Sequence, residues 1–169
     1  MKLDLGCGRA KKPGFVGVDV SPDADADIVH DLTVVPWPFA DGSVDEVYCA
    51  QFFEHLDGRQ RIAFMDELYR ILRPGGLATL ITPYWTSAGA VQDPTHQWPP
   101  VLENSYLYFN HRWREDNRIG HYGIRCDFDF RFAFVYTDAW AQKSAEEKAF
   151  ARQHFVNVVS DLHVHLTRR

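Results

Sequence analysis

The sequence predicts an α/β domain built on one mostly parallel sheet. Three observations carry that expectation. Five short apolar runs fall between residues 2 and 82, and the first ends in Gly6-Cys7-Gly8. One periodic helix, Arg59 to Leu72, sits between the fourth and fifth runs. Two more strand-like runs follow a long irregular stretch. In open sheets of this kind, ligands bind at the carboxyl ends of the strands.

Lys2-Leu3-Asp4-Leu5 alternates as a first strand. A short basic connection, Arg9 to Gly14, leads to the second, Phe15-Val16-Gly17-Val18-Asp19-Val20. Ile28-Val29-His30-Asp31-Leu32 reads as the third. Pro36 to Gly42 is a turn-rich loop, and Val44 to Ala50 is the fourth strand. In the helix, Ile62, Met65, Leu68, Tyr69 and Leu72 recur at three- and four-residue spacing, and Pro74-Gly75-Gly76 ends it. Leu77 to Thr82 is the fifth strand. From Pro83 to Gly123 the periodicity dissolves into Trp, Tyr, Pro and His, with a short helix around Leu102–Phe109. A loop this long in a compact domain reads as a functional lid or binding loop. Cys126 to Tyr136 alternates, with Phe128, Phe130, Phe132, Phe134 and Tyr136 on one face as core. A helix near Asp138–His154 and a last strand through Asn157–Leu166 complete the chain.

Residues 1–169 read as a single domain of globular composition, 46% apolar and 24% charged. No apolar run approaches the roughly 18 residues of a membrane span. The first residues lack the apolar core of a signal peptide, so a cytoplasmic location is expected. A net charge of −5 weighs against a generic polyanion binder. Cys7, Cys49 and Cys126 match no zinc-ligand spacing and read as free thiols; no metal is expected.

Three carboxylates, Asp4, Asp19 and Asp31, fall at or near the ends of the first three strands. Glycines at 6 and 8 let the backbone turn and approach a ligand. A dinucleotide fingerprint fits poorly, because Lys11 stands at its third glycine and Asp19 follows too soon. The ordered set Leu3-Asp4-Leu5-Gly6-Cys7-Gly8, Phe15-Val16-Gly17-Val18-Asp19, Asp31-Leu32, Ser43 to Val47, Glu54-His55-Leu56 and Arg70 to Gly76 instead resembles the class I S-adenosylmethionine-dependent methyltransferases, in a compact, type 11-like form. That resemblance covers about residues 2–83. It implies a Rossmann-like sheet, mostly parallel with an antiparallel C-terminal strand. It also implies S-adenosyl-L-methionine as cofactor, with S-adenosyl-L-homocysteine as product.

By the same resemblance, Asp4, Gly6, Cys7 and Gly8 hold the methionine end of the cofactor. Asp19 takes the ribose hydroxyls, Asp31 and Leu32 meet the adenine, and Ala50 and Gln51 border the methyl group. Taken alone, the glycines and Asp19 read as a tight turn and a strand-end cap; the ordered set favours the cofactor. Lys11 and Lys12 read as a solvated loop, with one facing the cofactor carboxylate as the minor alternative; His55, at the fourth-strand exit with Glu54, reads as a cap of the next helix ahead of a role in shaping the site.

Asp93, His96 and His121 are the candidate proton acceptors, an imidazole being suited to that role near neutral pH. The bland reading of His96 is a loop histidine bonded to backbone. Asp161, His163 and His165 alternate on one strand, a pattern common without metal.

Helices are missing between the first three strands, so this is a minimal form with one sheet face stripped of cover. The 83–123 insertion, as substrate lid or sheet cover, or a second copy in a homodimer, is expected to supply it. The aromatics Tyr84, Trp85, Trp98 and Tyr106 read as pocket lining or as that cover. Residues 50–53 lack the Asn/Asp-Pro-Pro-aromatic motif of nucleic-acid amino methyltransferases. A small-molecule methyl acceptor is therefore expected, with nucleic acid not favoured. The alternatives are a cofactor-binding module without turnover and a nucleic-acid methyltransferase.

Overall fold

A computed structural model describes residues 1–169. Seven strands form one sheet: β1 (Lys2–Leu5), β2 (Val16–Asp19), β3 (Ile28–Val29), β4 (Val44–Ala50), β5 (Leu72–Pro83), β6 (Phe128–Tyr136) and β7 (Val159–Arg168). Their spatial order is β3-β2-β1-β4-β5-β7-β6. The first five are parallel, and β7 pairs antiparallel with both β5 and β6. Strand order reverses between β1 and β4, which puts the crevice of the sheet between the loops that leave those two strands.

Helix α1 (Gly58–Ile71) forms because Asp57 starts it cleanly. The Asp57 carboxylate accepts from the backbone of Arg59 and Gln60, and the Gln60 side chain accepts in return from the Asp57 N–H. Its stripe of Phe64, Met65, Leu68 and Ile71 is wholly buried, worth roughly 2 kcal/mol per side chain. The sequence places Leu72 in the helix, but it is already extended and opens β5. The strand thus absorbs the Pro74-Gly75-Gly76 turn, at the cost of a register shift opposite Val44 and Glu46.

The short helices are α2 (Ala88–Gln92), α3 (Glu103–Leu107), α4 (His111–Asp116) and α5 (Asp138–Ala141), and α6 spans Ala145–His154. The single helix expected over Asp138–His154 is two, because Ser144 caps a new start. Its hydroxyl accepts from the Glu147 N–H, and the Glu147 carboxylate accepts from the Ser144 N–H. No helix is long and apolar enough to cross a membrane.

The sheet has two unlike faces. In register across it, Leu3, Val47, Ala78, Leu166 and Phe130 lie on one side. They join α1, Val101, Tyr106 and Phe109 in a single core. Tyr48, Thr79, His165 and Arg131 line the other side. No helix joins β1 to β2 or β2 to β3, as expected. Near β1 the connecting loop substitutes: the Lys12 N–H donates to the buried Asp4 carboxylate at 2.7 Å, and Lys12 Nζ stands 3.9 Å over the Tyr48 ring. The insertion does not cover this face. Its buried residues pack with α1 on the opposite one, a correction to the expectation that it shields the stripped side. The Arg131 and His165 end stays exposed.

Candidate functional site at the carboxyl ends of the strands

β1 runs straight into a loop with Gly6 at φ +69° and Gly8 at φ +53°. A side chain at position 6 would meet the Phe52 ring at 2.8 Å, whereas position 8 has nothing within 4 Å. The Gly8 N–H donates to Asp19 Oδ2 at 2.9 Å, and the Ser21 N–H to Oδ1 at 2.8 Å. The end of β2 and the loop after β1 are thereby tied together. Asp4 is buried, and burial holds its carboxyl above the usual range against the pull of Lys12. Burial, then Asp4 and Asp19, push the Cys7 thiol up to about 11, so it is neutral and inert.

Asp31 is exposed and accepts from the Thr33 N–H and hydroxyl, which hold its carboxyl below the usual range. Leu32 is buried, and its carbonyl accepts from the Trp37 indole. Ala50 ends β4. Gln51 follows in a left-handed conformation, φ +55°, and its amide donates to Asp161 Oδ1 at 2.9 Å. Asp4, Gly6, Cys7, Gly8, Asp19, Asp31, Leu32, Ala50 and Gln51 therefore line up along the carboxyl ends of four adjacent strands. Lys11 turns away from them and grips the Asp27 carboxylate with both contacts at 3.0 Å.

Beside this row lies a polar cleft of about 480 Å³. Gln51, Glu54, His55, Asp93, His96 and Asp161 are among its walls. Asp93 and His96 thus come together, as the sequence suggests. The Thr95 N–H and hydroxyl both donate to Asp93 Oδ1, at 2.8 and 2.7 Å. The same Thr95 oxygen lies 2.9 Å from His55 Nδ1. His96 Nδ1 meets the Ala90 carbonyl at 3.2 Å, its Nε2 lies 3.9 Å from Asp93 Oδ2, and its ring stands 4.8 Å from that of His55. Glu54 is 4% exposed, and neither carboxylate oxygen has a hydrogen-bond partner. Burial pushes its carboxyl up to about 7; Arg61 opposes that, while Asp161 and Asp93 add to it.

His121 is not part of this group. It is exposed in the Gly120–Tyr122 turn, on a separate cavity with Phe53, Arg61 and Tyr108. Asp161, His163 and His165 do not converge either: only Asp161 reaches the cleft, and His165 Nδ1 meets the Thr79 hydroxyl. Tyr84 and Tyr106 are core, and Trp98 is 82% exposed. Sequence reasoning gave Glu54 no role of its own and preferred, for His55, a cap over a site-shaping role; Asp57 performs the capping. The available signal was an acid and an imidazole placed side by side just beyond a strand that ends at the crevice.

Residues 3–80 match the family model of the methyltransferase domain. Among solved structures, a SAM-dependent methyltransferase from Archaeoglobus fulgidus superposes with a TM-score of 0.69 at 19% identity, over 99% of this chain and 85% of that one. Geranyl diphosphate C-methyltransferase from Streptomyces coelicolor, solved with Mg2+, geranyl diphosphate and S-adenosyl-L-homocysteine, gives 0.57 at 18%, over 99% and 72%. The small RNA methyltransferase HEN1 gives 0.59 at 15%, over 99% of this chain and 23% of that one. No curated protein matches. These likenesses establish the fold. Their acceptors, a diphosphate and an RNA, differ too much for the fold to name one here.

Proposed function

We propose that the chain carries a class I methyltransferase domain and methylates a small polar molecule held in the cleft between Gln51 and His96. S-adenosylmethionine supplies an activated methyl group on a sulfonium. The residues fit it: at Gly8 the backbone is bare, and Asp19 and Asp31 stand one and two strands further along, in reach of a ribose and an adenine. Ala50 and Gln51 bring that row to the edge of the cleft.

The observation that carries the acceptor reading is the cleft wall. Glu54, Asp93 and Asp161 put three carboxyl groups around about 480 Å³, which repels a phosphate backbone and suits hydroxyl or amine groups. Holding the two reactants in attack geometry is the main task, since the methyl is already activated. His96 Nδ1 faces a carbonyl and must therefore carry the proton. Its Nε2 lone pair is left to take a proton from an acceptor O–H or N–H.

The test uses methyl-labelled S-adenosylmethionine with cell extract split into small molecules, protein and nucleic acid. Label in the small-molecule fraction is expected. Label in RNA, or none in any fraction, refutes the reading; the latter would leave a cofactor-binding module.

A further inference from the structure

Glu54, His55 and His96 converge on one point of the cleft wall, each offering a ligand atom within 4.8 Å of the others. Their hydrogen bonds decide which atoms these are. The Thr95 hydroxyl proton goes to Asp93 Oδ1, so at the 2.9 Å contact His55 Nδ1 must be the donor. His96 Nδ1 must likewise donate to the Ala90 carbonyl. Both rings are thus oriented by an N–H on Nδ1, which leaves the lone pair on Nε2. Metal-binding imidazoles are held in this way.

The third member is Glu54, 4% exposed with both oxygens unpartnered. Neutral imidazoles whose only N–H groups point away cannot donate to it. Three electron-pair donors therefore face one another, an arrangement that needs a proton or a cation among them.

We propose that Glu54, His55 and His96 bind a divalent metal ion, and that the ion presents an open position to an oxygen of the methyl acceptor. The second half rests on the methyl-transfer reading; the first does not. Two imidazoles and one carboxylate suit a first-row transition ion with vacant positions better than Mg2+. Ligand bonds of about 2.1 Å set donors about 3.4 Å apart around a tetrahedral ion, so closure from at most 4.8 Å asks for a movement of up to about 1.4 Å. His55 is only half-buried and free to make it. With the ion in place His96 is a ligand rather than a base. A hydroxyl on the open position would be acidified by the metal and lose its proton to Asp93 Oδ2, which lies 3.9 Å from His96 Nε2.

The test uses untagged, full-length protein stripped with EDTA. Mn2+ uptake is followed by electron paramagnetic resonance and Zn2+ uptake by calorimetry. One ion per chain is expected, with affinity at least about tenfold weaker in Glu54→Gln and in His96→Ala. S-adenosylhomocysteine binding, measured on the same samples, shows that each variant is folded. Wild type that binds S-adenosylhomocysteine but takes up neither ion overturns the site, as does uptake unchanged in both variants. Uptake that depends on these residues, in a protein that labels no acceptor, upholds the ion and overturns the methyl-transfer reading instead. EDTA that leaves labelling intact overturns the link between ion and acceptor.

Discussion

Alanine at Gly6 and at Gly8 separates two costs that the loop after β1 combines. Both glycines are left-handed, at φ +69° and +53°. An L side chain there costs about 1–2 kcal/mol, offset by about 0.5 kcal/mol from the restricted unfolded chain. Position 8 is open, so Gly8→Ala should lose about 1 kcal/mol and no more. At position 6 the new Cβ meets Phe52 at 2.8–3.0 Å, from ring to Cβ. That is not the mobile tip of a chain, and displacing it adds about 2 kcal/mol. Gly6→Ala should therefore lose about 3 kcal/mol. In a domain of this size the midpoints should fall by about 3 °C for Gly8→Ala and about 10 °C for Gly6→Ala. Thermal and urea unfolding of both variants, of Phe52→Ala and of Gly6→Ala/Phe52→Ala complete the cycle. The pair should show a coupling of about 2 kcal/mol. Equal losses at positions 6 and 8, or additive losses at 6 and 52, would refute the steric account.

Asp19→Ala should abolish the rise in midpoint that saturating S-adenosylhomocysteine gives the wild type, about 5–10 °C at roughly a hundredfold excess over Kd; an equal rise in both would remove Asp19 from the cofactor site. In EDTA-stripped protein, Glu54→Gln should flatten the pH dependence of stability. A carboxyl held at about 7 in the fold and 4.5 unfolded keeps its proton only when folded, so wild-type stability falls as pH rises between those values, by about 3 kcal/mol in all. Unfolding curves from pH 5 to 9 with the same slope in both proteins would contradict this. Asp66→Ala should cost about 2–3 kcal/mol, because its buried carboxylate accepts from the Arg125 and Cys126 N–H groups, each at 2.9 Å, and pins the lead-in to β6 to α1; chemical denaturation that shows under about 0.5 kcal/mol would refute it.

The parallel half of the fold was legible because its signals are local. Gly6 and Gly8 announce a turn, the α1 stripe repeats at helical spacing, and Phe128 to Phe134 alternate. The two-way pairing of β7 was not: an antiparallel strand reads the same at an edge or inside the sheet. The break at Ser144 escaped because a cap is invisible beside a continuing periodicity. The row that the resemblance assigns to the cofactor could be listed residue by residue, since its members stand at or just beyond strand ends. The cleft could not, because Glu54 and His96 stand far apart in sequence and their segments are joined only in the fold, where the Gln97 N–H donates to the Glu54 carbonyl at 2.9 Å. His121 was grouped with them on residue type alone, and the fold sends it to another cavity.

Two departures from low-energy structure fall at the exit of β4. Gln51 is left-handed, and three residues later Glu54 is buried without a partner. Neither conformation would persist without a rigid support. Phe53 supplies it: 1% exposed, it stacks at 5.7 Å on Tyr106 and packs at 5.6 Å on Phe64 of α1. With that ring locked in the core, the turn has no freedom to rotate, and Glu54 is held against the cleft. The insertion thus acts on the site from behind. Tyr106 clamps the turn that carries Glu54 and His55, while Asp93, Thr95 and His96 close the same cleft from the front. One irregular segment both braces and furnishes the site.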